Sequence, residues 1–152
     1  MKLLHNPYIN AAVITIISVF YAAIFIITSG HDEFLGMLDH RQSLSSAFWN
    51  GWTVFLRQGN LKYIGYIYLL VTLCILVLSL IRKKKYDEYQ TGILATSFIA
   101  TGIVLLLLFP TAFFMVLNDA NYAVETISFL VVTHWSVFLL VNLIYLIKWY
   151  KQ

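Results

Sequence analysis

The chain has 152 residues, of which 61% are hydrophobic and only 11% are charged, and its mean hydropathy is +0.80. A soluble domain needs more polar surface than this, and a single cysteine excludes a disulfide within the chain. The formal net charge is +3, but the basic residues are concentrated at the chain ends and in one short loop. We therefore expect a membrane protein that binds no nucleic acid.

Four apolar segments predict four transmembrane helices. A helix needs roughly 20 apolar residues to cross a bilayer core, and backbone groups in lipid must bond within the segment. The first segment is interpreted as an uncleaved span, because it is long for a signal peptide and lacks a clear cleavage site. The sequence thus predicts an all-α integral membrane protein, with residues 1–152 forming one transmembrane domain. The four spans are Tyr8–Ser29, Leu61–Ile81, Thr91–Leu117 and Tyr122–Ile147.

The basic residues predict how these spans are oriented. Cytoplasmic loops are enriched in lysine and arginine, so we place both termini in the cytoplasm and the protein in the plasma membrane. The run Arg82–Lys85 is interpreted as a topology anchor that contacts anionic lipid. The short connections predict an antiparallel four-helix bundle. Seven of the ten basic residues lie on the predicted cytoplasmic side: Lys2, Arg82, Lys83, Lys84, Lys85, Lys148 and Lys151.

The segment 31–60 is the only long stretch between spans, and the orientation places it outside the cytoplasm. Its apolar residues recur at helical spacing, which indicates an extracytoplasmic amphipathic helix that lies in the membrane interface or is tucked between the spans. Trp49 and Trp52 are expected at headgroup depth. The acids and histidines of 31–40 match no metal-ligand spacing, so they are interpreted as solvated and no metal or cofactor is expected. The apolar positions are Leu44, Phe48, Trp52 and Phe55.

Small residues at close helical spacing mark two spans. Such stripes let helices approach one another closely in lipid, which predicts a homo-oligomer or, alternatively, packing against a larger membrane partner. Pro110 is expected to kink the third span, and Cys74 is interpreted as a small buried apolar side chain of the second. The stripes are Ala11, Thr15, Ser18 and Ala22 in the first span and Gly92, Thr96 and Ala100 in the third.

Polar side chains within the spans are the candidates for chemistry, because placing them in lipid is costly. His134 lies near the middle of the fourth span, where it is either a general base, proton relay or metal ligand, or a neutral histidine bonded to a neighbouring helix. Glu125 lies one turn inside the outer surface, where it either begins the helix favourably or contributes to binding. The other candidates for a binding site or a pore are Asn142, Thr101 and Asn60.

Three stretches together resemble a known family. They are Phe55–Leu61 before the second span, Thr101-Gly102 with Phe109-Pro110 in the third, and His134 followed by Asn142 in the fourth. Their order and spacing are similar to the first four helices of the androgen-induced intramembrane threonine hydrolases and their bacterial six-helix relatives. The resemblance implies that His134 and a threonine cleave fatty-acid esters within the membrane. The position of the family threonine holds Leu56 here, and Thr53 is displaced from it by most of a helical turn.

Three functions remain open at this point. The first is a non-enzymatic oligomer that forms a pore, transports a solute or perturbs the bilayer. The second is a lipid or acyl-ester hydrolase, degenerate in its nucleophile, that uses His134 with Thr53 or a threonine of the third span. The third is an accessory subunit of a larger membrane complex. The sequence contains no phosphate-binding loop, nucleophile elbow or metalloprotease motif, which favours a protein that is not an enzyme.

Overall fold

The computed structural model describes residues 6–39, 46–81 and 85–149, without the Trp149 side chain. In these ranges the chain forms six α-helices and one turn of 3-10 helix, and no strand. Four helices, α1, α4, α5 and α6, are long and apolar enough to cross a membrane, which agrees with the predicted all-α membrane fold. The elements are α1 (Pro7–Thr28), α2 (Asp32–Met37), α3 (Ala47–Arg57), α4 (Leu61–Ile81), α5 (Glu88–Asn118), the 3-10 turn (Ala120–Tyr122) and α6 (Ala123–Trp149).

Local capping determines where two of the long helices begin. Helix α1 starts at Pro7, whose missing N–H is not needed at a first helical position, and the Asn6 side chain accepts from the Tyr8 N–H at 3.0 Å. Helix α5 starts at Glu88, three residues before the apolar segment. There Asp87 and Gln90 form a capping box, with the Gln90 N–H donating to Asp87 Oδ1 at 2.6 Å. Hydropathy alone did not indicate this earlier start.

The outer segment contains two helices, α2 and α3, and residues 40–45 between them lie outside the described ranges. The buried face of α3 differs from the apolar stripe. Trp49, Thr53 and Leu56 are buried, whereas Phe48 is 54% exposed. Leu44 is not among the described residues. The apolar stripe and the buried face differ at Phe48, because lipid solvates an apolar side chain as well as protein does, and apolar spacing therefore does not identify the face that packs on the bundle.

A glycine turn connects α3 to α4 and touches the end of α1. The Gly59 N–H donates to Leu56 O at 2.9 Å and the Asn60 N–H donates to Phe55 O at 3.3 Å, the two bonds of a Schellman motif. Gly59 has φ +70°, and a Cβ at this position would lie 2.9 Å from Ser29 O. The turn therefore requires glycine for its backbone conformation and for its close approach to α1.

Helices α1 and α4 pack against each other through small residues and run in opposite directions. Ser29, at the C-cap of α1, lies beside Gly59 in the turn before α4, and Ala22 of α1 lies beside Gly65 of α4. A Cβ on Gly65 would lie 3.1 Å from Ala22 O. Ser18 and Ala22 of the first-span stripe are fully buried. This stripe is used within the chain, so it does not provide the surface for self-association that the sequence suggested.

Helix α6 packs against α4 and also reaches α1. The Tyr68 hydroxyl of α4 donates to Val132 O of α6 at 2.7 Å. The rings of Tyr21 on α1 and Trp135 on α6 are stacked, with their centroids 4.7 Å apart. These aromatic contacts lie near the middle of the predicted bilayer and form the centre of the packed core.

Helix α5 packs chiefly against α6 and the 3-10 turn. The rings of Phe98 and Phe138 are stacked at 5.5 Å, and the Tyr145 hydroxyl donates to Gln90 O at 2.8 Å. In the part of the chain described, the long helices thus follow the spatial order α1, α4, α6, α5. Helix α5 lies at one edge, with a large part of its surface exposed.

Two single-residue expectations concern α5 and α4. Helix α5 continues through Pro110 for eight further residues, and the kink expected there, where Pro110 has no N–H to donate to the Leu106 carbonyl, stays a prediction. Cys74 was expected to be buried, but it is exposed on α4. It lies on the face of α4 that is turned away from α1 and α6, where a small apolar thiol is compatible with lipid.

Candidate functional site

Four side chains connect α3 to the outer end of α6, and we call them the outer polar cluster: Trp52, Thr53, Glu125 and Ser128. Glu125 lies in the first turn of α6 and has no exposed surface. The Thr53 hydroxyl donates to Glu125 Oε1 at 2.7 Å. The Trp52 indole N–H lies 3.1 Å from Glu125 O and 3.2 Å from Ser128 Oγ. The cluster therefore holds the outer helix on the last span.

The Thr53 hydroxyl is engaged within the protein. It lies 2.9 Å from Trp49 O as well as 2.7 Å from Glu125 Oε1, and one hydroxyl has only one hydrogen to donate. The Thr53 residue is only 7% exposed. A nucleophile must be reached by its substrate, and this hydroxyl is enclosed between two helices. The arrangement is that of a buried polar network that fixes helix position.

His134 lies elsewhere on α6 and is half-buried. It is nine residues beyond Glu125, which is about 13 Å along the helix axis and half a turn around it. Since Thr53 is bonded to Glu125, it is far from His134, and no hydrogen bond joins Thr53 to His134. The structure therefore brings Thr53 together with Glu125 and does not bring it together with His134.

This separation leads to a testable expectation for the predicted hydrolase. We expect a fluorophosphonate probe to label the wild-type protein in liposomes no more strongly than it labels the His134→Ala variant, because Thr53 is buried and has no histidine beside it. Gel fluorescence measures the labelling, and a membrane serine hydrolase in the same liposomes is the positive control. Labelling that is lost in both Thr53→Val and His134→Ala would contradict the separation.

The remaining predicted site residues lie apart from one another and bond locally. Asn142 on α6 is buried and donates to Phe138 O at 2.8 Å. Thr101 on α5 is buried and donates to Ser97 O at 2.9 Å. Such bonds to the carbonyl one turn back satisfy a polar side chain inside its own helix. Asn60, in the turn before α4, donates to Gln58 Oε1 at 3.0 Å. These three do not form one site within a single chain.

The role of Trp52 was not predicted. It was expected at headgroup depth, but its indole N–H is directed to α6. The signal that was available is the acid inside a span, since a buried carboxyl requires polar partners. Helix α3 supplies the Thr53 hydroxyl to the carboxyl and the Trp52 indole to the Glu125 backbone oxygen. Nearer the surface, Arg57 Nη2 lies 3.1 Å from Asp39 Oδ1, but both side chains are largely exposed, so this pair contributes little stability. The described ranges contain no group of three or more His, Cys, Asp or Glu residues placed to hold a metal.

These features define the class: a small membrane protein with four helices long and apolar enough to cross the bilayer and a shorter helix, α3, that is hydrogen-bonded to the last of them. Comparison with known proteins found no matching family model, no matching curated protein and no matching solved structure. The resemblance to the intramembrane threonine hydrolases therefore rests only on the residues given above and stays a prediction.

Proposed function

We propose that this chain is a non-enzymatic membrane protein that assembles through α5 into a homo-oligomer, which forms a pore or transport path. The observation that carries the proposal is the exposure of α5. Only 6% of its most apolar window is buried within the chain, against 28% for each of the other three spans. The longest helix of the fold thus has one helix neighbour and a wide unoccupied face.

The exposed face of α5 contains the second small-residue stripe, Gly92, Thr96 and Ala100. A Cβ added at Gly92 would meet no atom within 4 Å, whereas one at Gly65 would lie 3.1 Å from α1. The Thr96 hydroxyl donates to Gly92 O at 2.9 Å, so the stripe presents no unsatisfied polar group. A groove of about 500 Å³ runs beside the stripe. The chain uses such a stripe to pack α1 on α4, and the stripe on α5 offers the same kind of surface to a second copy.

The bonding of the polar residues favours a function of the assembly over a function of one chain. Thr53 and Glu125 bond to each other, and Thr101 and Asn142 bond to their own helices. These four residues therefore do not form a row of free polar side chains that could conduct a solute through one chain. A path between copies needs no such row inside the chain, which supports the oligomer as the functional unit.

The proposed orientation puts both termini in the cytoplasm and α3 outside. Among described residues, Lys85 precedes α5 and Lys148 lies in the last turn of α6. These two ends are close in space, because the rings of Tyr86 and Tyr145 contact each other. Basic residues at this end favour it as the cytoplasmic side. The other basic residues of the sequence argument, Lys2, Arg82–Lys84 and Lys151, lie outside the described ranges.

Disulfide crosslinking tests the assembly. In a Cys74→Ser background, we expect Thr96→Cys to form a covalent dimer in liposomes on oxidation, several-fold more than Leu73→Cys. Position 73 is a matched control, because it is exposed on α4. It also lies at a similar depth, since Leu73 is eight residues from the end of α4 at Ile81 and Thr96 is eight residues from the start of α5 at Glu88. Non-reducing gels measure the dimer fraction.

The outcomes separate assembly from conduction. Equal crosslinking at positions 73 and 96 would overturn the α5 interface. If Thr96→Cys forms a dimer but the liposomes retain a trapped solute, the assembly stands and the pore is wrong. If Gly92→Leu, which fills the stripe, abolishes both the dimer and solute efflux, both parts of the proposal are supported.

A further inference from the structure

A groove of about 740 Å³ lies between α3 and the outer half of α5. One wall is α5 from Leu106 to Asn118, and the other is formed by Trp49 of α3 and Tyr122 of the 3-10 turn. The rings of Trp49 and Tyr122 meet edge to face at 6.0 Å. The groove is separate from the small-residue stripe of α5, which begins near the opposite end of the helix.

The length of this groove matches one leaflet. From Leu106 to Asn118 the helix rises about 18 Å at 1.5 Å per residue. Half of a hydrocarbon core of about 30 Å is roughly 15 Å. Since Asn118 ends α5 at the membrane surface, the groove extends from that surface to about the middle of the bilayer.

The polarity of the groove changes along its length. Its deep part is apolar, with Leu106, Leu107 and Pro110, and its mouth has the polar residues Ser46 and Asn118. An occupant must therefore be apolar over most of its length and polar at the end beside α3. We propose that the groove binds one acyl chain of a bilayer phospholipid, from the leaflet on the α3 side, with the headgroup next to Ser46 and Asn118.

The side chains that line the groove favour an acyl chain over a helix from a partner protein. The walls consist of large side chains such as Trp49, Phe114 and Met115, which do not permit the close helix approach that small residues allow. The proposal does not depend on the homo-oligomer, because the two surfaces lie on different halves of α5.

A groove-filling substitution tests the proposal by native mass spectrometry of protein released from phosphatidylcholine nanodiscs. We expect wild type to retain one phospholipid per chain and Leu107→Trp to reduce that fraction several-fold. Phe109→Trp is the matched control, because Phe109 is 63% exposed on α5 outside the groove and Leu107 is 67% exposed inside it. Equal retention in all three proteins would overturn the proposal.

The adduct mass identifies the occupant. With oleate added to the nanodiscs, an adduct of free fatty acid in place of phosphatidylcholine would overturn the choice of ligand. A second copy of the chain, lost in Leu107→Trp, would show that the groove is a protein interface and would likewise overturn it. Only a phospholipid mass that falls in Leu107→Trp and persists in Phe109→Trp supports the proposal.

A second measurement replaces one aromatic ring of the groove wall by another and leaves the groove unfilled. In vesicles of phosphatidylcholine brominated near the middle of its chains, tryptophans close to bound chains lose fluorescence. We expect Trp49→Phe to remove more of the quenchable signal than Trp135→Phe, because Trp135 is stacked between Tyr21 and Phe138 inside the bundle. Equal loss in the two variants would contradict an acyl chain in the groove.

Discussion

Gly59→Ala is expected to lower the free energy of unfolding by about 2 kcal/mol, because alanine is unfavourable in the left-handed backbone region. Gly59 has φ +70°, and the added Cβ would lie 2.9 Å from the backbone oxygen of Ser29. The obstructing atom belongs to the end of α1, so the contact cannot be relieved by a side-chain rotation. Either the turn or the α1–α4 contact has to shift. Unfolding in mixed micelles of increasing SDS content, followed by circular dichroism, measures the change.

The control for this substitution is Gly51→Ala in the preceding helix. A Cβ at Gly51 meets no atom within 4 Å, and alanine is favoured over glycine in a helix interior by up to about 1 kcal/mol. The two alanine variants should therefore change stability in opposite directions. If Gly59→Ala is as stable as Gly51→Ala, the turn does not have the close contact described here.

Glu125→Ala is expected to lower the free energy of unfolding by about 2 to 4 kcal/mol, since it removes a fully buried side chain and its hydrogen bond. Glu125 has no exposed surface and accepts from the Thr53 hydroxyl. Removing the carboxyl takes away the hydrogen bond that joins the Thr53 side chain to α6, so the loss should be greatest at α3. Hydrogen–deuterium exchange in nanodiscs should show that the substitution accelerates exchange, relative to wild type, more across Ala47–Arg57 than across α1.

Glu88→Ala is the matched control, because Glu88 also lies in the first turn of a long helix but is exposed. Surface substitutions usually change stability by less than about 0.5 kcal/mol. Thr53→Val, which keeps the shape and removes the hydroxyl, should cost about 1 kcal/mol and accelerate exchange in the same helix. If Glu125→Ala and Glu88→Ala unfold alike and α3 exchanges at its wild-type rate, the outer polar cluster does not hold α3.

The outer helix shows how far sequence reasoning reaches. The spacing of apolar residues predicted a helix in the right place, and α3 is present from Ala47 to Arg57. The same spacing did not show which face packs on the bundle, and the structure buries Trp49 and Thr53. The polar partners on α6 decide the rotation of α3, and these partners are more than 70 residues away in the chain. Their positions could not be predicted from a local pattern.

The candidate site shows the same limit. Glu125, Thr53 and His134 were each identifiable as polar residues in or beside apolar segments, because such residues are costly in lipid. The helical period also put Glu125 and His134 on opposite sides of α6, as the structure does. The pairing of Thr53 with Glu125 depends on where α3 lies against α6, and only the folded chain contains that information.

The sequence by itself determined the four membrane-length helices and their limits to within a few residues, because span length and apolar content are set by the thickness of the bilayer. Only the tertiary structure decided which face of each helix meets protein. The Cys74 side chain is exposed, and the small-residue stripe with Ala22 is buried against α4. The small-residue stripe with Gly92 contacts no other helix at that glycine. The physical reason is that lipid is as apolar as a protein core. Hydrophobicity therefore drives these helices into the membrane without distinguishing the side that packs from the side that lipid covers.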